Sequence, residues 1–418
     1  MKVFKFGGAS VRNTSSIQNV EAIIQSYSDE KLLIVVSAMG DTTDVLEQIV
    51  ALARSGKSMV ALIGQLRDFH RTIIRELFGE SHSLYAELEA VLQQILTATI
   101  QPGEDDQIYD QVVSLGEVIS TLIINHYLIL KKINSTWVDA RHYIKTDSRF
   151  REGKIDWAET RSKIQTLKPI LAERTIITQG FIGSTPDGLT TTLGREGSDF
   201  SAAIFASCLD AESVTIWKDV AGVMNADPKR LATASLFEEL PFKEAAEMTY
   251  YGASIIHPKT IKPLANKGIP LKVKSFLNPS LEGTIIHECE VNHLPPLIVF
   301  KENQCLISCQ VTDYSFINEQ QIGIIFQTLS EQNIKINVMQ NSAISFSFCV
   351  DYRENKILKL IDLLGRNFEV YYNTGLTLIT VKNYDAALYQ EYRNHPGVIL
   401  EQSSRSTFQV LVKSSGLR

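Results

Sequence analysis

The sequence is poor in anything that would cross-link it or grip a polyanion. Its 418 residues include five cysteines, Cys208, Cys289, Cys305, Cys309 and Cys349, an odd and scattered set that makes no disulfide frame. Cys305 and Cys309 lack the spacing and partner ligands of a zinc knuckle, so no metal site is expected and all five read as small core or surface thiols. An excess of one charge is missing too. With 41 basic and 47 acidic side chains the net charge is −6, and no long run of like charges occurs, which argues against a chain that holds nucleic acid or an anionic membrane surface. No apolar run opens the chain: Met1 to Phe6 alternates as a short strand and enters glycines at once, so neither a signal peptide nor a spanning helix is expected, and the protein is expected in the cytoplasm. What is present is ordinary globular composition, 44% hydrophobic and 21% charged, at a length that suits two or three domains.

The first 280 or so residues alternate short apolar strands with helical stretches, the pattern of a sheet covered by helices on both faces. The clearest strands are Val3 to Phe6, Leu32 to Val36, Thr136 to Val138, Thr175 to Thr178, Val214 to Trp217 and Leu271 to Val273; several are uniformly apolar, as buried parallel strands are. From Val45 to Lys132 the apolar period is helical, which predicts a helical excursion from the sheet, serving as scaffold or dimer surface. Past a linker at His293 to Pro296, strands are expected at Leu297 to Lys301, Cys305 to Val311, Ile334 to Val338, Ile344 to Val350, Phe368 to Tyr372, Thr377 to Val381, Val398 to Glu401 and Thr407 to Val412, with helices at Glu319 to Gln332, Glu354 to Leu364 and Asp385 to Arg393. That order reads as two small ferredoxin-like units, the second made of discontinuous pieces.

Three turns carry charge beside glycine. Lys5, Phe6, Gly7, Gly8 end the first strand where bare amides and a lysine suit phosphate oxygens, although a plain structural turn fits equally well. Gly194, Arg195, Glu196, Gly197, Ser198, Asp199 precede an alanine-rich helix: Arg195 suits a carboxylate through its planar fork, and Asp199 suits a metal, a lysine, or a helix cap. Lys218, Asp219 through Met224, Asp227 and Lys229 form a loop that packs turn formers between charges, as a surface connection also does.

With Glu247 to Pro258, these segments resemble the aspartokinases of the amino-acid kinase superfamily in order, spacing and flanking strands across nearly the whole chain, and the tail resembles that family's paired ACT regulatory domains. The resemblance implies a three-layer αβα sandwich with a helical excursion over residues 1–290, then two α+β ferredoxin-like ACT domains, the first at 304–374 and the second assembled from 296–303 and 375–418. It implies transfer of the ATP γ-phosphoryl group to the β-carboxylate of L-aspartate with Mg²⁺ present, and a homodimer formed through the ACT domains. Lys5 matches the lysine that neutralises the migrating phosphoryl, Gly7 and Gly8 the amides beside it, and Asp199 the residue that organises Lys5. Ser37, Ala38, Thr43 and Ser198 match residues around bound aspartate, Glu117 the acid that holds its ammonium, and Arg195 the clamp on its carboxylate. Lys218, Asp219, Met224, Asp227 and Lys229 match nucleotide positions. Ser254 stands at such a position where many relatives carry lysine.

A carboxylate nucleophile is already ionised at neutral pH, so such chemistry needs no catalytic histidine, and His257 is expected to be structural. In the tail, Asn337, Gln340, Asn341 and Ser342 match the strand and turn where ACT domains receive a feedback amino acid, lysine or threonine being the candidates. The loop Asp313 to Asn318 has no glycine where such ligands meet bare backbone, so a tail that only dimerises stays open. Ending at Arg418, the chain is expected to be monofunctional; a kinase of glutamate and an inactive amino-acid sensor are the alternatives.

Overall fold

Strands that are apolar on every side chain bury both faces, and this protein has a sheet of them. The structure is a computed structural model describing residues 1–253, 256–291, 294–313 and 315–414. Contacts divide the chain into two units, one of Met1–Val223, Leu236–Ala246 and Ser254–Val291, the other of Met224–Ser235, Glu247–Ala253 and Asn292–Arg418. Each has its own sheet and core.

In the first unit the elements run β1 (Lys2–Phe6), α1 (Thr14–Gln25), β2 (Leu32–Val36), α2 (Thr42–Arg54), α3 (Val60–Phe78), α4 (Leu84–Ile100), α5 (Asp105–Leu130), β3 (Ser135–Val138), α6 (Trp157–Gln165), α7 (Lys168–Glu173) and β4 (Thr175–Gln179). They continue with the short pair β5 (Ile182–Ser184) and β6 (Thr190–Thr192), then α8 (Gly197–Leu209), β7 (Ser213–Lys218), β8 (Glu239–Pro241), α9 (Phe242–Tyr251, whose last residues cluster with the second unit), α10 (Pro258–Ala265), β9 (Leu271–Ser275) and β10 (Thr284–His287). The sheet order is β3-β4-β2-β1-β7-β9-β10-β8, parallel from β3 through β9, with β10 antiparallel to β9 and β8 parallel to β10. All six expected strands are there, each extended by a residue or two at most.

The helical excursion resolves into α2 to α5, whose apolar faces pack into one core with β1, β2 and Trp217. Phe6 stacks on Trp217 with ring centroids 6.0 Å apart, and Phe4 meets the same indole edge-on at 5.7 Å. By length and composition α5 is apolar enough to cross a membrane, contrary to the reading that the chain holds no such helix. Its most apolar window is 83% buried inside the protein, so packing, not lipid, accounts for it.

The second unit contains β11 (Leu297–Gln310), α11 (Glu319–Glu331), β12 (Ile336–Asn341), β13 (Ser345–Asp351), α12 (Glu354–Leu364), β14 (Glu369–Lys382), α13 (Ala386–Arg393), β15 (Val398–Ser403) and β16 (Thr407–Lys413), in a six-stranded antiparallel sheet ordered β12-β13-β11-β14-β16-β15. Here the expectation of separate strands fails twice. Leu297 to Lys301 and Cys305 to Val311 are one strand, as are Phe368 to Tyr372 and Thr377 to Val381. The polar breaks between them are β-bulges: the register of β11 on β14 shifts around Gln304, where Asn303 has φ +55° and Gly375 has φ +68°. A bulge and a turn use the same residues, and only strand pairing distinguishes them. Among the described residues three clusters lie along this sheet, one of Cys305, Ile307, Phe346, Phe348, Ile357 and neighbours, another of Ile298, Ile379, Tyr392, Phe408 and Val410, and a third of Leu306, Val338, Cys349, Leu376, Leu378, Leu400 and Leu411.

Two stretches inside the part read as catalytic domain, Met224–Ser235 and Glu247–Ala253, cluster with this second unit. Asn225 explains the first: its backbone carbonyl accepts from Ile298 N at 2.8 Å, its side-chain Nδ2 donates to Pro296 O at 3.0 Å, and Ala226 joins the core around Ile298.

Phe348 is fully buried on β13. Phe348→Ala is expected to cost about 3–5 kcal/mol, measured as a lower denaturation midpoint; an unchanged midpoint would show that this core does not limit stability.

Candidate active site

The carboxyl ends of β2, β1 and β7 lie side by side at the middle of the parallel sheet, the place where open α/β sheets take ligands. Lys5 is the penultimate residue of β1, Ser37 follows β2, and Lys218 ends β7. The first turn of α8 adds Asp199. Its N-cap is Glu196, left-handed at φ 54° and with no side-chain cap bond, so Asp199 and Ser198 are inside the helix and do not cap it.

Asp199 is 3% exposed and receives two ammonium groups. Lys5 Nζ lies 2.7 Å from Oδ1 and Lys218 Nζ lies 3.6 Å from Oδ2. Burial pushes the Asp199 carboxyl up, but Lys5 and Lys218 outweigh it and hold the group below the usual carboxylate range. The triad therefore carries one net positive charge. Bare backbone keeps the approach open. A Cβ on Gly7 would sit 3.3 Å from Lys5 Nζ, and one on Gly8 would sit 2.8 Å from the Ala38 carbonyl.

These groups face a cavity of about 640 Å³, lined by first-unit residues only. Of the residues expected in the site, Lys5, Ser37, Thr43, Glu117, Arg195, Ser198, Asp199 and Lys218 line it. Glu117 comes from the middle of α5 and is 3% exposed. The Ala38 amide donates to it, which is what Ala38 contributes, while Oε2 has no hydrogen-bond partner among the described residues. Burial, only partly offset by that amide and by Lys5, pushes the Glu117 carboxyl up to about 8. Asp199 is thus ionised and Glu117 protonated at neutral pH, although both line one cavity.

Asp219 is exposed in the loop after β7. Met224, Asp227 and Lys229 belong to the second unit, where the Asp227 carboxylate accepts from the Lys229 amide at 2.9 Å. Ser254 lies outside the described residues. His257 caps α10 by accepting from Lys259 N at 3.2 Å, a structural role. Asn337 starts the β12 end of a side-chain network, receiving from Lys301 Nζ at 2.8 Å, while Gln340, Asn341 and Ser342 are exposed.

Sequence reasoning missed Glu47, Tyr109, Arg151, Glu152 and Phe181, all of which line the cavity. The Arg151 guanidinium lies 3.8 Å from the Tyr109 ring centroid, and the Tyr109 hydroxyl donates to Glu47. Buried Asp110 gathers this wall, accepting from Arg151 N at 2.9 Å and from Thr192 N at 2.8 Å. No local pattern links residues so far apart in the chain. Gly180 supports the site from below: a Cβ there would meet Ser198 Cβ at 2.4 Å, so only glycine lets the chain leaving β4 pass the first turn of α8.

Cationic side chains, bare amides and a helix start at the carboxyl ends of parallel strands mark the class of α/β proteins that take phosphate compounds. A profile of the amino acid kinase family matches residues 1–275. Lysine-sensitive aspartokinase 3 of Escherichia coli (strain K12) is 32% identical over 360 residues, covering 84% of this chain and 78% of that protein. Chloroplastic bifunctional aspartokinase/homoserine dehydrogenase 1 of Zea mays is 34% identical over 298 residues, covering 69% of this chain and 32% of its own length. The chain thus spans about a third of that relative, and about half of the Arabidopsis thaliana bifunctional enzyme 2, of which it covers 46%. Among solved structures, E. coli aspartokinase III with aspartate and ADP superposes with a TM-score of 0.84 at 28% identity, covering 99% of this chain and 96% of that one. The same enzyme with lysine and aspartate gives 0.82 at 27% identity, covering 100% and 97%. The chain belongs to the amino acid kinase family, as one of its aspartokinases.

Because Glu117 keeps its proton in the fold up to about pH 8 and loses it in the unfolded chain near 4.5, the folded state loses stability as pH rises through that window. Glu117→Gln mimics the protonated form. It is expected to match the wild type in melting temperature at pH 5 and to exceed it at pH 8.5; equal melting at both would rule out the buried proton.

Proposed function

We propose that the protein is an aspartate kinase, transferring the γ-phosphoryl group of ATP to the β-carboxylate of L-aspartate to give 4-phospho-L-aspartate, the first step toward the aspartate-derived amino acids. The observation that carries this reading is the Lys5–Asp199–Lys218 triad in one cavity with Arg195 and Glu117. A carboxylate oxygen attacks the γ-phosphorus, the bond to the bridging oxygen breaks, and ADP leaves. No proton moves. Two anions must meet, and the barrier is the charge between them; lysines, backbone amides and an arginine lower it. Lys5, with the Gly7 and Gly8 amides, would face the migrating phosphoryl, and Lys218, with Asp219, the nucleotide phosphates. Mg²⁺ brought by the nucleotide would spread the remaining phosphate charge. Arg195 would clamp the α-carboxylate, and Glu117, releasing its proton to water as aspartate binds, would pair with the substrate ammonium.

Hydroxylamine trapping with ATP is expected to yield hydroxamate from aspartate and none from glutamate. Lys5→Met is expected to lower kcat about 100-fold or more. Product from glutamate alone, from neither acid, or from Lys5→Met at wild-type rate would each overturn the assignment.

In the second unit, we infer an amino-acid effector site around Asn337, Gln340, Asn341 and Ser342, and a homodimer formed through this unit. Support comes from the E. coli relative, a lysine-sensitive enzyme by name and solved with lysine. Lysine titrated into the assay is expected to inhibit and Gln340→Ala to relieve it; lysine and threonine both without effect would leave the unit purely structural.

A further inference from the structure

At the outer edge of the first unit's sheet three different donor side chains converge, none of which lines the cavity. Glu239 on β8 and His287 on β10 are joined by a hydrogen bond from imidazole Nε2 to Oε1, and Cys289 follows two residues after His287. One donor atom from each of the three lies within 4.8 Å of the others. The sheet explains the convergence. β8 and β10 are parallel with Ile285 opposite Glu239, Ile286 opposite Leu240 and His287 opposite Pro241. Leu240 and Ile286 alternate with these residues and are 0% and 1% exposed, so Glu239 and His287 stand together on the other, accessible face. Thr284 fixes the strand pair: its hydroxyl donates to Phe237 O and accepts from Val223 N at 2.8 Å.

We propose that Glu239, His287 and Cys289 form a zinc site with its fourth position open to water. An imidazole, a thiolate and a carboxylate are a borderline-soft set that suits Zn²⁺ and not Mg²⁺ or Ca²⁺, which take oxygen ligands. Tetrahedral zinc with bonds of about 2.0–2.3 Å holds its donors about 3.3–3.6 Å apart, close to the spacing the three already have. Exposed Glu238, Glu288 and Glu290 flank the site and add negative charge that draws a cation. The expectation that all five cysteines are plain core or surface thiols thus changes for one of them: the other four are buried, and Cys289 alone is partly accessible, beside two further ligands.

That contrast supplies the test. In the full chain, stripped with a chelator, a thiol reagent is expected to modify one cysteine per chain. One equivalent of Zn²⁺ is expected to slow that modification at least tenfold, and the same concentration of Mg²⁺ to leave it unchanged. Protection is expected to vanish in the double variant Glu239→Gln, His287→Gln, with the four buried thiols reporting that it stays folded. Co²⁺ gives a second reading on the unaltered chain, a thiolate-to-metal charge-transfer band that saturates at one equivalent and is absent from Cys289→Ser. Modification of the wild type at the same rate with and without Zn²⁺, equal protection of the folded double variant, or no charge-transfer band would overturn the site.

Discussion

Everything in the cavity depends on one buried carboxylate. Two ammonium groups brought to one point repel; at an effective dielectric of 20, like charges 4 Å apart do so by about 4 kcal/mol. Asp199 turns that repulsion into two attractions and leaves one unit of positive charge facing the cavity. Its own burial would be costly without them, because an unpaired carboxylate removed from water takes up a proton. Lys5, Lys218 and Asp199 are therefore a unit in which no member keeps its place alone.

The same cavity holds a carboxyl group of opposite temperament. Glu117 is as buried as Asp199, yet its partners are one amide and a more distant ammonium, so desolvation wins and the proton stays. Two acids in one pocket with charge states pushed apart by their surroundings are a basis for distinct roles, one a permanent counter-ion, the other a buried group that holds its proton.

In the second unit the organising constraint is continuity. β11 and β14 each run 14 residues, and the bulges near Asn303 and Gly375 let one strand serve more than one buried cluster without a break. Polar groups at this joint are satisfied internally: Lys301 pairs with Asp351 at 2.8 Å, Gln304 donates to Asp351 at 2.9 Å, and Asn337 donates to Gln304 at 2.7 Å. A residue first noted for a ligand role, Asn337, is thus also a structural tie between β12 and β11.

Strand positions, the helical period of residues 45–132 and the glycine-bearing turns were legible in the sequence because each depends on near neighbours: an apolar run, a 3.6-residue repeat, a missing Cβ. Lys5, Arg195 and Asp199 were legible because they sit at such turns. The wall made by Glu47, Tyr109 and Arg151 was not, since Asp110 assembles it through bonds spanning 41 and 82 residues of chain. Nor were the two long strands, because a left-handed residue between polar neighbours means a turn or a bulge according to what pairs beside it. Local chemistry determined which segments form elements and which carry charge. Which charges face one another, which acid keeps its proton and where a strand continues were decided by tertiary structure, because pairing and desolvation are set by groups that meet only after folding.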